Sequence, residues 1–265
     1  MTKIALTIAG SDSGGGAGIQ ADLKTFHQFG VFGTSAIVAI TAQNTVGVHG
    51  VHAIPVEMVR AQIDAVADDL PPHAIKTGML ATVELVEAVA AAIKLHRFPN
   101  YVLDPVMVAT SGDPLLDEDA QQTVREHLVP LSTLVTPNLD EASILVENEI
   151  DTIDRMIAAG KILVGMGAEA ALVKGGHLDE EKIEDVLVTS DLVTTIPHHK
   201  VDTTSTHGTG CTLSAAITAG LAQGRSMEEA VRDGLDFVQR AIARAPGLGS
   251  GHGPLNHFVS LVRIV

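Results

Sequence analysis

Short runs rich in β-branched and apolar residues alternate with longer segments of helical periodicity along nearly all of the 265 residues. This alternation predicts βαβ units and an α/β fold, in which helices cover both faces of a mostly parallel central sheet. The predicted strands are Lys3–Ala9, Ser35–Thr41, Ala74–Thr77, Tyr101–Asp104, Leu134–Thr136 and Ala171–Lys174. The predicted helices include Gly18–Phe29, Val56–Asp69, Val83–His96, Glu118–Leu128, Asp151–Met166, Thr209–Gln223 and Met227–Ala243.

One segment departs from this pattern and predicts a small antiparallel edge on the sheet. Val186–Ile196 reads as a hairpin that turns at Ser190-Asp191. No internal repeat is present, and no stretch rich in proline, serine or charge divides the chain. Because a single α/β domain commonly reaches this length, we expect one domain over residues 1–265.

The charge balance limits the partners of the chain. Asp and Glu number 32 against 17 Lys and Arg, which gives a formal net charge of −15, and tryptophan is absent. These features disfavour binding to nucleic acid or to an anionic membrane. The apolar run Ile4–Ala9 is too short for a signal peptide, and the lone Cys211 has no internal disulfide partner. We therefore expect a cytoplasmic protein.

A polar motif follows each of the six predicted strands. Since ligands of open parallel sheets gather outside the carboxyl ends of the strands, these motifs predict one composite site. They are Gly10-Ser11-Asp12, Gln43-Asn44, Gly78-Met79, Asp104-Pro105, Pro137-Asn138 and Gly175-Gly176.

The loop from Gly10 to Gly18 contains five glycines in nine residues and leads from a strand to a helix. Within it, Gly16–Ala21 fits a loose dinucleotide fingerprint, but no acidic residue occurs between Asp22 and Glu57 to hold a ribose. A flexible turn capped by Asp12 is an alternative. The number of glycines favours close approach of the backbone to a ligand.

A second glycine motif precedes the predicted helix that begins at Thr209. Gly208 and Gly210 free the preceding turn, so backbone N–H groups of residues 208–211 are expected to face an anion at a helix N-terminus. In that positive field the pKa of the Cys211 thiol should fall, which suits a general base for a substrate hydroxyl. The alternative is that Cys211 is a small buried apolar residue.

Acidic and basic residues at other strand ends fit phosphate and metal binding. Asn138 and Glu141 share one face of a helix start, where they form a capping pair or contribute to a ligand site. Glu141 together with Asp104 has the oxygen ligands that Mg²⁺ prefers. Lys174 is a point charge next to glycines and is expected to contact phosphate.

Several of these motifs together resemble one family. The sequence is similar to the hydroxymethylpyrimidine/phosphomethylpyrimidine kinases of the ribokinase-like superfamily. The motifs that carry the resemblance are Thr7–Asp22, Ala42–Asn44, Lys76–Met79, Leu103–Met107, Ser111–Leu115, Thr136–Glu141, Lys174–His177 and Thr206–Cys211.

The resemblance implies a ribokinase-like fold and ATP-dependent phosphorylation of 4-amino-5-hydroxymethyl-2-methylpyrimidine and then of its monophosphate, for thiamine biosynthesis. It implies ATP and magnesium as cofactors and a homodimer. The implied catalytic residues are Cys211 as base, Gly208, Thr209 and Gly210 as anion hole, and Lys174 on the phosphates. Magnesium would lie near Asp104 and Glu141.

The resemblance also implies the binding residues. For the pyrimidine these are Gly10, Asp12, Ala17, Asp22, Gln43, Met79 and Val106, with the Gln43 amide pairing with the ring nitrogen and amino group. For the nucleotide they are Asn138, Glu141, Lys174, Gly175, Gly176, Asp185 and Gly210. The alternative in the same branch is a pyridoxal kinase, or an enzyme with both activities. A non-catalytic sensor that only binds the pyrimidine is the alternative of a different class.

Overall fold

The computed structural model describes residues 1–107, 116–176 and 182–261. The strands are β1 Ile4–Asp12, β2 Phe32–Gln43, β3 Val48–Ala53, β4 Ala74–Thr77, β5 Tyr101–Leu103, β6 Leu134–Val135, β7 Ala170–Val173, β8 Lys182–Thr189 and β9 Val193–His199. Within the described ranges they form one sheet in the order β3-β2-β1-β4-β5-β6-β7-β8-β9. The pairs from β2 to β7 are parallel, whereas β3, β8 and β9 each pair antiparallel with their neighbours.

The helices are α1 Gly18–Gln28, α2 Val56–Asp69, α3 Val83–His96, α4 Glu118–His127, α5 Leu139–Val146, α6 Ile153–Gly165, α7 Thr209–Ala222 and α8 Met227–Ala243. A short 3₁₀ helix spans Val129–Leu131. Side chains cap the N-termini of α3, α4, α5, α6 and α8. Helices α1 and α7 begin at glycine-rich turns without a side-chain cap, which leaves their first amides open to other acceptors.

The core lies in two layers, one on each face of the sheet. Helices α1, α7 and α8 supply residues such as Phe26, Leu213 and Phe237 to one layer. Helices α2, α3 and α4 supply Ile63, Val89 and Val124 to the other. Every residue of α7 from 212 to 222 is buried, as expected for a helix that is apolar on all sides. This burial holds the N-terminus of α7 rigidly at the carboxyl edge of the sheet.

The structure confirms the predicted α/β fold with its mostly parallel sheet and antiparallel edge. The bounds of α2, α3 and α8 match the predictions, and the hairpin turns at Ser190-Asp191 between β8 and β9. Strand β3 was not predicted, because its alternating Val and His residues are interrupted by Gly50 and mostly exposed. In the described part of the chain, no helix is long and apolar enough to cross a membrane.

Candidate active site

The glycine loop after β1 is organised by the carboxylate of Asp12. Its Oδ1 accepts the N–H of Gly14 at 2.7 Å, and its Oδ2 accepts those of Gly16 and Ala17 at 3.0 and 2.8 Å. Burial alone would raise the pKa of Asp12, but the bond from His207 and the backbone N–H groups outweigh it and lower the pKa. The carboxylate of Asp12 is thus buried and bonded by its own loop, and its predicted contact with the substrate stays a prediction.

Gly208 brings α7 against this loop. It adopts a left-handed conformation with φ of 82°, and a Cβ at this position would overlap the carbonyl oxygen of Gly16. The N–H of Thr209 bonds the carbonyl of Thr206 at 3.2 Å. Among the described residues, the amides of Gly210 and Cys211 face no protein acceptor. The Thr209 N–H is thus already bonded within the turn and is lost from the predicted set of anion donors. The N–H groups of Gly210 and Cys211 remain able to donate to an anion.

We expect Gly208→Ala to destabilise the protein by about 2–4 kcal/mol, since it adds both left-handed strain and overpacking. The matched control is Gly210→Ala. A Cβ on Gly210 lies 3.4 Å from the flexible end of Lys174, so the free energy of unfolding should not fall. Urea unfolding of both variants measures the difference. Equal stability of the two variants would contradict the close approach at Gly208.

A fully buried ion pair lies beneath the site. Lys76 on β4 places its Nζ 2.8 Å from Asp22 and 3.6 Å from Asp104, and the side chains of Lys76 and Asp22 have 0% exposure. The Thr7 hydroxyl donates to the other oxygen of Asp22 at 2.6 Å. Asp22 therefore has a structural role beneath the site, and its predicted contact with the substrate stays a prediction.

Lys174 lies between two buried carboxylates at the ends of β5, β6 and β7. Its Nζ is 3.8 Å from Asp104 and 3.9 Å from Glu141. Asn138 and Glu141 form a reciprocal capping box at the start of α5, with both bonds at 2.8 Å. Burial raises the pKa of Glu141 to about 7, opposed by the charge of Lys174. The capping interpretation therefore holds for Asn138 and Glu141, and the carboxylate remains beside the lysine.

Two carboxylates in this position fit a magnesium ion that keeps most of its waters and is shared with phosphate. No cluster of three or more His, Cys, Asp or Glu side chains suited to a metal occurs among residues 1–107, 116–176 and 182–261. A site made by Asp104 and Glu141 alone would therefore need phosphate oxygens and water to complete it.

Cys211 lies in the first turn of α7 and is partly exposed. The backbone N–H of Gly18, in the glycine loop, favours the ionised form of the thiol, which is the smallest of the effects on its pKa. The predicted lowering of the pKa of this thiol is wrong. Burial raises the pKa of the thiol to about 11, and the nearby carboxylates of Asp104 and Asp22 add to this effect, while Lys76 opposes it.

The amide of Gln43, at the end of β2, lies close to His207. Its Nε2 is 3.4 Å from His207 Nε2, and its Oε1 is 3.1 Å from the hydroxyl of Thr41. The same imidazole nitrogen is 2.9 Å from Asp12 Oδ2. These contacts bring the ends of β1 and β2 together with the turn before α7.

The other predicted substrate residues differ in exposure. Gly10 is buried and packs against Met79, since a Cβ on Gly10 would lie 2.9 Å from the Met79 methyl carbon. Ala17, Met79 and Val106 are partly exposed. These residues therefore lie along one edge of the sheet, at the ends of neighbouring strands. The whole Ser111–Leu115 motif lies outside the described residues, and so does His177, the last residue of the Lys174–His177 motif.

Asp185 lies behind the loop that follows β7. Its carboxylate accepts the N–H of Gly175 at 2.8 Å, and Gly175 approaches the carbonyl of Glu184 so closely that a Cβ would overlap it. Burial raises the pKa of Asp185, while nearby His198 opposes the shift. The buried carboxylate therefore positions Gly175, whereas Gly176 is exposed. The nucleotide contact of Asp185 stays a prediction.

A family model described as phosphomethylpyrimidine kinase matches residues 12–256. The chain belongs to this kinase family. It is an enzyme, a phosphotransferase with an alcohol group as acceptor. The chain is 50% identical to the hydroxymethylpyrimidine/phosphomethylpyrimidine kinase of Bacillus subtilis (strain 168), over 96% of this chain and 94% of that one.

Two solved structures of related kinases share the fold. An ADP complex of Bacillus subtilis pyridoxal kinase superposes with a TM-score of 0.91 at 42% identity, covering 97% of this chain and 98% of the other. A phosphomethylpyrimidine kinase from Clostridium difficile 630 gives a TM-score of 0.83 at 40% identity, covering 91% and 100%. The predicted family and fold are confirmed.

Sequence reasoning missed two residues of this kinase site. Lys76 was quoted only as part of a motif, and His207 only as part of the turn before Cys211. The signal for Lys76 was its position inside the four-residue buried strand β4. Burying a lysine without a charged partner costs so much free energy that such a lysine predicts a buried carboxylate beside it. No local signal identified the partners of His207, since Asp12 is 195 residues away.

Proposed function

We propose that this kinase transfers the γ-phosphoryl group of ATP to the hydroxyl of 4-amino-5-hydroxymethyl-2-methylpyrimidine, and then phosphorylates the monophosphate, in thiamine biosynthesis. The observation that carries the proposal is the meeting of two open amides at the α7 N-terminus with Cys211 and Lys174. Anions are favoured at such a terminus. The curated relative at 50% identity is named for both of these steps.

Phosphate binding is assigned to the region around α7 and Lys174. The amides of Gly210 and Cys211 donate to a phosphoryl oxygen, and the Lys174 ammonium neutralises a second one. A phosphate there displaces Lys174 from its loose contacts of 3.8 and 3.9 Å with Asp104 and Glu141. Magnesium, held by these two carboxylates, would screen the charge of the ATP phosphates. ADP in the related pyridoxal kinase supports a nucleotide as the donor.

Cys211 is assigned as the base that accepts the proton of the substrate hydroxyl. Because burial raises the thiol pKa to about 11, only about one thiol in 10⁴ is ionised at pH 7 before ligands bind. The positive charge of Lys76 and the N–H of Gly18 are the groups that stabilise the thiolate. The reactive fraction, and with it kcat/KM, therefore rises with pH.

Substrate recognition is assigned to Gln43 with Gly10, Ala17, Met79 and Val106. A glutamine amide presents one donor and one acceptor, which complements the ring nitrogen and amino group of an aminopyrimidine. Pyridoxal is the second candidate substrate, because a pyridoxal kinase superposes with a TM-score of 0.91. Its ring carries no amino group next to a ring nitrogen, so Gln43 cannot make the same pair.

The decisive experiment follows phosphorylated product formed from ATP with each of the two substrates. We expect kcat/KM for the aminopyrimidine to exceed that for pyridoxal by about tenfold or more, since one unpaired polar group costs about 1–3 kcal/mol. Removal of divalent cations by EDTA should abolish turnover, and added Mg²⁺ should restore it. Binding of the pyrimidine without any product would indicate a sensor, and a preference for pyridoxal would indicate the alternative kinase.

A further inference from the structure

The hydrogen-bond partners of Gln43 conflict as they stand. The Thr41 hydroxyl has one proton, yet it faces two carbonyl oxygens, Ser11 O at 2.9 Å and Gln43 Oε1 at 3.1 Å. On the other side, Gln43 Nε2 faces His207 Nε2 at 3.4 Å. An amide nitrogen only donates, so this second contact requires an acceptor on the imidazole.

His207 cannot supply that acceptor, because its Nε2 carries the proton given to Asp12. The Nε2–Oδ2 distance is 2.9 Å, and three backbone N–H groups already stabilise the ionised carboxylate. A bare Nε2 would place its lone pair against a carboxylate oxygen. The donor state of Nε2 holds whether the ring is neutral or cationic, since both forms can carry this proton.

The imidazole is also fixed in position. The backbone N–H of His207 donates to the carbonyl of Gly253 at 3.2 Å. The ring packs so tightly on the glycine loop that a Cβ on Gly16 would lie 2.5 Å from the Cδ2 atom of His207. The side chain of His207 is only 13% exposed. The proton on Nε2 is therefore a permanent feature of the pocket wall beside Gln43.

We propose that His207 is a specificity-determining residue, which turns the Gln43 amide so that Oε1 faces His207 and Nε2 faces Thr41, and so selects a 4-aminopyrimidine over a 4-oxopyrimidine. The inference rests on the proposed role of Gln43 in binding the ring. Turning the amide by 180° gives each of these contacts one donor and one acceptor. Thr41 keeps its bond to Ser11 O and accepts from Gln43 Nε2, while the single Nε2 proton of His207 bonds Asp12 and is shared, more weakly, with Gln43 Oε1.

The turned amide retains one free hydrogen on Nε2 and one free lone pair on Oε1. The free hydrogen donates to the ring nitrogen, and the lone pair accepts from the 4-amino group. A 4-oxo ring has the opposite order, an acceptor oxygen beside a donor ring N–H. Binding of the 4-oxo ring would require the Gln43 amide to turn back by 180°. An N–H of Gln43 would then lie against the N–H of His207. The hydroxymethyl group must still reach Cys211, so the ring cannot reverse instead.

The test measures kcat/KM for the aminopyrimidine and for its 4-oxo analogue in the wild type, His207→Leu and His207→Gln. We expect the wild type to prefer the amino ring by about 10²-fold or more, as sites with fixed hydrogen-bonding groups do. His207→Leu should lower this ratio by about tenfold, because one opposing donor is removed. The activity on the oxo ring should rise in absolute terms. Simple damage to the pocket would lower both activities together. His207→Gln keeps a donor and should restore most of the ratio.

Two further variants keep the outcomes separate. Gln43→Ala should abolish the preference, and if it does not, or if the wild type phosphorylates neither ring, the proposed function itself fails. An unchanged ratio in His207→Leu, with the preference lost in Gln43→Ala, overturns the inference and leaves the function standing. Should His207→Leu not fold, Thr41→Val removes the acceptor on the other side and should lower the ratio by about threefold. No change in that variant also overturns the inference.

Discussion

Cys211→Ala should lower kcat/KM for the hydroxymethylpyrimidine by about 10²- to 10⁴-fold, the range typical for loss of a general base. The substitution removes the sulfur at the mouth of α7 and leaves the amides of Gly210 and Cys211 in place, because alanine suits the first turn of a helix. Binding of ADP should therefore be unchanged, and calorimetric titration measures it. Steady-state kinetics with saturating ATP measures the loss of turnover.

Cys211→Ser is the matched control for shape. A hydroxyl fills nearly the same space, but it ionises far less readily than a thiol. If Cys211 is the base, serine should be almost as inactive as alanine. Activity of the serine variant within about threefold of the wild type would be inconsistent with the proton transfer, since general bases contribute far more than that.

The dependence of kcat/KM on pH further tests whether Cys211 acts as a base or only fills space. Because burial raises the pKa of Cys211 to about 11, the thiolate fraction increases steadily with pH. We expect log kcat/KM of the wild type to rise between about pH 6 and about pH 9 with a slope near one, and that slope to vanish in Cys211→Ser. A wild-type profile that is flat across this range would contradict the base assignment.

Lys76→Met should cause the largest loss of stability, about 3–5 kcal/mol, because it leaves the fully buried Asp22 without its counter-charge. Burial opposes the charged form of Lys76, yet the carboxylate of Asp22 outweighs it and raises the pKa of the lysine. For a chain of this size the loss corresponds to a fall in Tm of roughly 10 °C. Differential scanning calorimetry measures it. Lys161→Met, at an exposed lysine on α6, is the matched control and should change the stability by less than about 0.5 kcal/mol.

The double variant Asp22→Asn/Lys76→Met separates the effect of Lys76 on stability from its effect on activity. Removing both charges should recover much of the stability, as replacement of buried ion pairs often does. Activity should stay low, because Asp104 also loses the ammonium that lies 3.6 Å from it. Full recovery of kcat/KM in the double variant would show that Lys76 serves only to neutralise Asp22.

Local sequence rules located the elements well. The bounds of α2, α3 and α8 could be predicted from apolar periodicity and flanking polar residues, which act over a few positions. The edge strand β3 was missed because an exposed strand has no buried face to impose alternation. Helix α7 was found, and Gly208 before it was recognised as a turn residue, but not its contact with the Gly16 carbonyl.

Residue types, their order along the chain and the strand ends they follow were determined by the sequence alone, and these suffice for the fold class and the composite site. Tertiary structure decided which carboxylates are sealed beneath the site, which side chain lies against the Gln43 amide, and in which direction the pKa of Cys211 shifts. The physical reason is that desolvation and charge act through space. Lys76 meets Asp22 across 54 residues of chain and His207 meets Asp12 across 195, so neither pairing is encoded in any local pattern.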